Sequence, residues 1–220
     1  MKYLIGVVAV VLFTGCGAAN NALVSKTKSV EYYRIFDIKT KIDRDSISEL
    51  ASNGLGRNVN NTQEAKPIPK SAIIPSTPGR LEVANPFEGT QLGMLALSGG
   101  GFGLKIATCK DAIWTANATR NVSGDSDLRI TACLFQYQDG YHLDLYATFA
   151  KQEGGLMQIS RSMAHAMVGT PEEWTEKAFL DIVREIRKGS KAEITLLEAY
   201  PKIQGTPWLD DGDDIINEKN

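Results

Sequence analysis

Few side chains in this chain are equipped for chemistry, and they are scattered: two histidines, three cysteines and one dense glycine run among 220 residues. His142 and Asp144 stand two apart, the spacing that puts residues on one face of a strand, and Arg129, Phe135, Tyr137 and Tyr146 fall where they can join them. With Tyr137, Tyr146 and Arg129 the pair suits a small polar-aromatic pocket, against the simpler role of a satisfied surface group. Aromatic area mixed with charge is also what recognition surfaces are enriched in, so these six residues form the candidate recognition face. His165 lies apart, beside Met163 and Met167. Neither histidine has the clustered spacing of a metal site, so no metal and no cofactor are expected. The run Ser98-Gly99-Gly100-Gly101-Phe102-Gly103 offers backbone amides to a developing negative charge. It lacks the Gly-Lys-Ser/Thr ending of a phosphate loop, which leaves a strand break as its simpler role. With 24 Lys+Arg against 26 Asp+Glu, the chain has no positive field to draw in nucleic acid.

The elements that must position these groups read as follows. Val30 to Ile42 alternates apolar and charged residues, as a half-buried strand does. Asp45 or Ser46 is placed to cap a short helix through Leu50, with Asn53-Gly54 to end it. From 58 to 86 five prolines remove backbone donors, so regular structure is not expected through most of that stretch, which reads as a connector laid over the surface. Gly93 to Ser98 is apolar enough for a strand. Asp139-Gly140 is a hairpin dipeptide. Setting Gln138 opposite Tyr141 places Leu134 against Leu145, Ala132 against Ala147 and Ile130 against Phe149 on an apolar face. The six candidate residues then share the other face with Cys133. Ala112 to Ala118 adds a third strand whose small alanines leave room on the core side for a helix.

Two helices are expected next, one near Met157 to Met167 and one with full punctuation. The second has Thr170 as cap, Pro171 at the first position, Glu173 to complete a capping box, and Gly189 to end it. Its stripe of Trp174, Ala178, Phe179, Ile182, Val183 and Ile186 suits packing on the sheet. Ala192 to Tyr200 supplies a last strand, and residues 204–220 read as an acidic, mobile tail. The fold class is α+β: a single domain over 29–203, with an antiparallel sheet and a C-terminal helix packed on one face.

Cys109 and Cys133 pose a geometric question. Pairing Trp114 with Leu134 puts Cys133 opposite Thr115 and leaves Cys109 six residues off, about 20 Å at strand rise and beyond the ~7 Å Cα limit of a disulfide. A bridge therefore requires Leu104 to Asp111 to leave the meander. Geometry argues against the pair, while an oxidising compartment argues for it.

The compartment follows from the first residues. Lys2 precedes an apolar run from Tyr3 to Phe13, which is signal-peptide length and short of the ~20 residues that span a bilayer. The run ends in Phe13-Thr14-Gly15-Cys16, which resembles the bacterial lipobox, with Phe13 where Leu is usual. The resemblance covers residues 1–16 and does not extend into the mature domain. It implies a signal peptide over 1–15, diacylglycerol on the Cys16 thiol, an acylated Cys16 amine, and a flexible tether over 16–28. Several acyl chains anchor stably where one binds marginally. Gly17, where Asp would signal inner-membrane retention, implies the periplasmic face of the outer membrane.

The glycine run in turn resembles the oxyanion loop of patatin-like lipases. That family also needs a G-x-S-x-G elbow, and Ser123 lacks the first glycine. The expected role is therefore non-catalytic: a lipid-anchored binding, scaffold or envelope-assembly module, its partners the bilayer and an envelope protein. The alternatives are a periplasmic hydrolase using the glycine loop, or a small-ligand carrier.

Overall fold

The computed structural model describes residues 26–68, 71–91, 94, 105–122, 126–153 and 169–210. The glycine run, Ser123, the helix expected near Met157 to Met167 with His165, and Cys16 all lie outside the described residues, as does the strand expected at Gly93 to Ser98 apart from Met94.

Alternation along β1 (Lys26–Lys39) buries Tyr32, Arg34, Phe36 and Ile38 on one side. The strand begins inside the segment read as a tether, because Lys26, Thr27 and Lys28 pair with Glu153, Gln152 and Lys151. The next element is α1 (Arg44–Gly56), capped by the Asp43 carboxylate, which accepts from the amides of Asp45 and Ser46. Its cap thus lies two or three residues before the position expected. The helix also runs through Asn53-Gly54. Gly54 is a packing residue: a Cβ there would come within 2.5 Å of Ile182 Cα in the second helix.

The proline-rich stretch does contain strands. β2 (Asn61–Ala65) pairs with β5 (Trp114–Val122), and β3 (Glu82–Ala84) pairs with β4 (Ile106–Thr108) in a separate ribbon. No proline falls within 58–66, so β2 keeps its donors. Glu64 fixes it by accepting from Trp114 Nε1 at 2.9 Å and from Ser52 Oγ at 2.9 Å.

β6 (Ser126–Tyr137) and β7 (Gly140–Glu153) form the hairpin. Its register differs by two residues from the expected one: Gln136 faces Tyr141, Leu134 faces Leu143 and Ala132 faces Leu145. The loop is Gln138-Asp139, and Gly140 already belongs to the strand. Gly140 is needed there because its φ is +152° and a Cβ would lie 2.1 Å from the Ile38 carbonyl oxygen. An even slip leaves every side chain on its expected face.

The last helix is α2 (Pro171–Ser190), with the Thr170–Glu173 capping box formed as expected. It ends at Lys191, left-handed at φ 54°, rather than at Gly189. Gly189 instead lies against Leu50 of α1, whose Cδ2 would be 2.4 Å from an added Cβ. β8 (Glu193–Tyr200) completes an antiparallel sheet in the order β2-β5-β6-β7-β1-β8.

Both helices cover one face, where Ala116, Ala118, Ala132 and Ala147 are fully buried and give them room. The molecule is therefore an α+β domain, with its C-terminal helix on one face of an antiparallel sheet. Arg34 is buried beneath α2, paired with Glu176 and donating to the carbonyls of Tyr33 and Tyr200. Trp174 is only partly buried, with the Arg120 guanidinium 3.3 Å over its ring. Part of the segment expected to be a mobile tail, residues 204–210, is described, and it is held against the domain. Trp208 is buried, meets Phe36 edge-on at 5.6 Å, and donates to the Ile194 carbonyl.

Candidate functional site

The face away from the helices carries the six candidate residues, and the strand registers lay it out in rows. One row crosses Asn61, Thr119, Arg129, Thr148 and Glu31. The next crosses Gln63, Asn117, Thr131, Tyr146 and Tyr33. Closer to the hairpin turn come Cys133, Asp144 and Ile35, then Phe135, His142 and Asp37. The two halves of this face meet different fates.

The turn-proximal half is covered. Phe135, Tyr137, His142 and Asp144 are buried, so as a solvent-exposed recognition surface these four are corrected. The cover is not a helix but the proline-rich segment, which crosses the sheet between Pro75 and Ala84. Gly79 lies directly on Phe135, where a Cβ would be 2.6 Å from the ring. The Leu81 amide donates to Asp144 Oδ2 at 2.8 Å, and the Gln138 amide donates to the Pro75 carbonyl at 2.9 Å. Arg80 reaches Asp144 at 3.5 Å and Glu198 at 3.0 Å. Prolines suit such a strap, since an extended segment lying across a sheet face loses nothing by lacking amide donors.

The strap is pinned by a disulfide. Cys109 and Cys133 are bridged, with Cα atoms 5.5 Å apart. Trp114 does pair with Leu134, as the sequence indicated, yet the chain leaves the meander before it. The Ala112 amide donates to the Cys109 carbonyl, and Asp111 adopts φ 64°. That tight turn folds β4 back over β6. Ala112, Cys133 and Phe135 form a second small core with Leu81 and Cys109.

Beneath the strap lies a polar cluster that includes β1 residues not singled out from sequence. The Tyr137 hydroxyl donates to Asp37 at 2.5 Å and accepts from Lys39. His142 Nε2 is 3.5 Å from Asp37. Burial lowers the His142 pKa, against the opposing pull of Asp37. The His142 ring also meets the Tyr137 ring edge-on at 5.5 Å, so the cluster ties β1 to both strands of the hairpin.

Burial also pushes the Asp144 pKa up to about 6, against the Leu81 amide and Arg80, which favour the charged form. A carboxyl raised above its unfolded value contributes most stability when protonated, and that contribution is lost as pH rises through about 6. Asp144→Asn should therefore gain on wild type by roughly 1 to 3 kcal/mol between pH 4 and 7.5, since each tenfold change in a proton's binding constant is worth about 1.4 kcal/mol. Urea unfolding at the two pH values measures this, and parallel pH profiles for the two proteins would exclude it.

Among the described residues the other half is left uncovered by the strap. Here β4 stands over the polar rows and leaves a cleft of about 740 Å³. Arg129 and Tyr146, of the six candidates, line it. Arg129 is exposed, and no described residue pairs with it. Tyr146 is buried at the floor, its pKa raised by burial and by the Glu31 carboxylate. Lys105 is bound to Glu31 at 2.7 Å and forms part of the rim. Asn117 and Thr131 are hydrogen-bonded at 3.0 Å, which orients both. Alternation along β5 puts Asn117 and Thr119 on this face, opposite its alanines. Asn61 and Gln63 were hidden by the reading of 58–86 as unstructured.

Among the described residues no group of His, Cys, Asp and Glu could hold a metal ion, and no helix is long and apolar enough to cross a membrane. No family model and no curated protein matches the chain. Among solved structures it is similar to the hypothetical protein jhp0584 from Helicobacter pylori, at 10% identity with a TM-score of 0.27, over 79% of this chain and 91% of that one. A likeness at that score says nothing about function.

Proposed function

We propose that the chain is a lipid-anchored envelope lipoprotein whose domain binds a ligand without transforming it, through the open half of its polar face. One observation carries the binding reading: a single sheet face is covered by a dedicated strap over half its length and left as a polar cleft over the other half. A face of purely structural polar residues has no reason to be divided so. The anchor reading is supported by the apolar run ending at Cys16, and the Cys109–Cys133 bridge suits an oxidising compartment.

A photo-crosslinking residue at position 131, on the cleft floor, or at position 49, exposed on α1, tests both parts in cells. Adducts are expected from 131 and not from 49. The protein should pellet with membranes, and Cys16→Ser should release it into the soluble fraction. Equal adducts from both positions would remove the cleft from the reading. Membrane retention of Cys16→Ser would remove the lipid.

A further inference from the structure

Resting on the reading of the cleft as a binding site, we infer that its ligand is an acidic oligosaccharide, held by Arg129 at a carboxylate and by the amide and hydroxyl rows along its length. The cleft mixes apolar side chains, among them Ile106, Ile130 and Phe149, with neutral polar side chains in rows. Asn61, Gln63, Asn117 and Thr119 each offer both a donor and an acceptor, and Thr131, whose hydroxyl proton goes to Asn117, keeps its acceptor capacity. A sugar hydroxyl is also donor and acceptor at once, so it satisfies such a side chain in either sense. Anions or cations alone would use only half of that capacity.

The rows also set the ligand's shape. From Asn61 to Thr148 the first row crosses four strands, about 14 Å at the usual strand spacing. That length holds an extended ligand of a few rings rather than a single small ion. All positions are on strands inside or at the edge of one sheet, and the Thr131–Asn117 bond fixes two of them in advance. Preorganisation of this kind lowers the ordering cost of binding.

Charge supplies the acidic part. Lys105 and Glu31 neutralise one another at the rim. Arg129 faces the cleft with no described partner, leaving one guanidinium for one carboxylate, a pairing that is bidentate and stronger than a neutral hydrogen bond. A peptide ligand fits less well. Over β5, β6 and β7, which are paired on both sides, it would find no free strand edge; the edges of β2 and β4 are what a peptide would have to use, and tetraglutamate tests that alternative.

Isothermal titration of the full-length protein in detergent tests the assignment with three probes: a galacturonate tetramer, its methyl ester, and tetraglutamate. The galacturonate tetramer should bind best and the ester more weakly. Arg129→Gln should weaken the acid about tenfold while leaving the ester unchanged. Asn117→Ala with Thr131→Ala should weaken both sugars. Melting curves should be unchanged in Arg129→Gln, since the residue is exposed.

No binding of either sugar, or equal galacturonate affinity in Arg129→Gln, overturns the assignment. Tighter binding of tetraglutamate, sensitive to Arg129→Gln, overturns the ligand class and leaves the cleft a binding site. Cleavage of the tetramer during titration supports the ligand class and overturns the non-catalytic reading.

Discussion

Gly54→Ala should destabilise the protein by about 3 kcal/mol, at the upper end of overpacking penalties, because the new methyl meets backbone and not a movable side chain. Its Cβ would lie 2.5 Å from Ile182 Cα and 2.7 Å from the Asp181 carbonyl oxygen. Neither can move without shifting α2, which is packed on the sheet through Phe179, Ile182 and Ile186. Two neighbours supply internal comparisons. Gly189→Ala meets the Leu50 side chain, which can rotate away, so its cost should be smaller. Gly56→Ala meets nothing within 4 Å and is exposed at the end of α1. It should stabilise by up to about 1 kcal/mol, through the lost backbone freedom of the unfolded chain. The order of the three urea midpoints is the measurement. A Gly54→Ala protein as stable as wild type would mean that α1 and α2 do not cross at this point.

The same glycines show where sequence reading stopped. Gly54 and Gly189 carry the local signature of helix ends, and a one-dimensional reading assigns them there. Their real constraint is the approach of a second helix from far along the chain, which no local pattern encodes. Gly140 is a third instance. Asp139-Gly140 announces a hairpin correctly, yet the glycine is used for close contact with Ile38 and the turn sits one residue earlier. Helix α2 was legible because Thr170, Pro171 and Glu173 act within one turn, where spacing determines contact. The meander was legible because alternation has period two, and a two-residue slip leaves faces unchanged.

The candidate site was legible as a face and not as a surface. Arg129, Phe135, Tyr137, His142, Asp144 and Tyr146 do share one side of the sheet. Burial of four of them under the strap depends on residues 75–84, whose sequence looks like a solvated connector. The proline-rich segment and the aromatic face explain each other only when seen together. Pro75 and Pro78 have no amide to satisfy, and Asp144 accepts from the Leu81 amide. Among the described residues, what stays open is the end of the face that the strap does not reach.

Reduction of the Cys109–Cys133 bridge should cost about 3.5 kcal/mol, the value expected from closing a loop of this length in the unfolded chain. Its consequences should be local as well as global. The bridge sits directly after β4, and β4 pairs with β3 at the end of the strap, so it ties the strap to β6. Without it the strap is held by the Leu81 and Gln138 amide bonds, the Arg80 ion pairs and the contact with Phe135. Hydrogen exchange in the Cys109→Ser, Cys133→Ser double variant should therefore rise most at residues 79–84 and 106–112. The strands β1 and β7, buried beneath both helices, should keep their relative protection. A variant that loses protection evenly across the sheet would show the bridge acting only on the unfolded chain, and one with an unchanged melting temperature would show that the strap needs no pin.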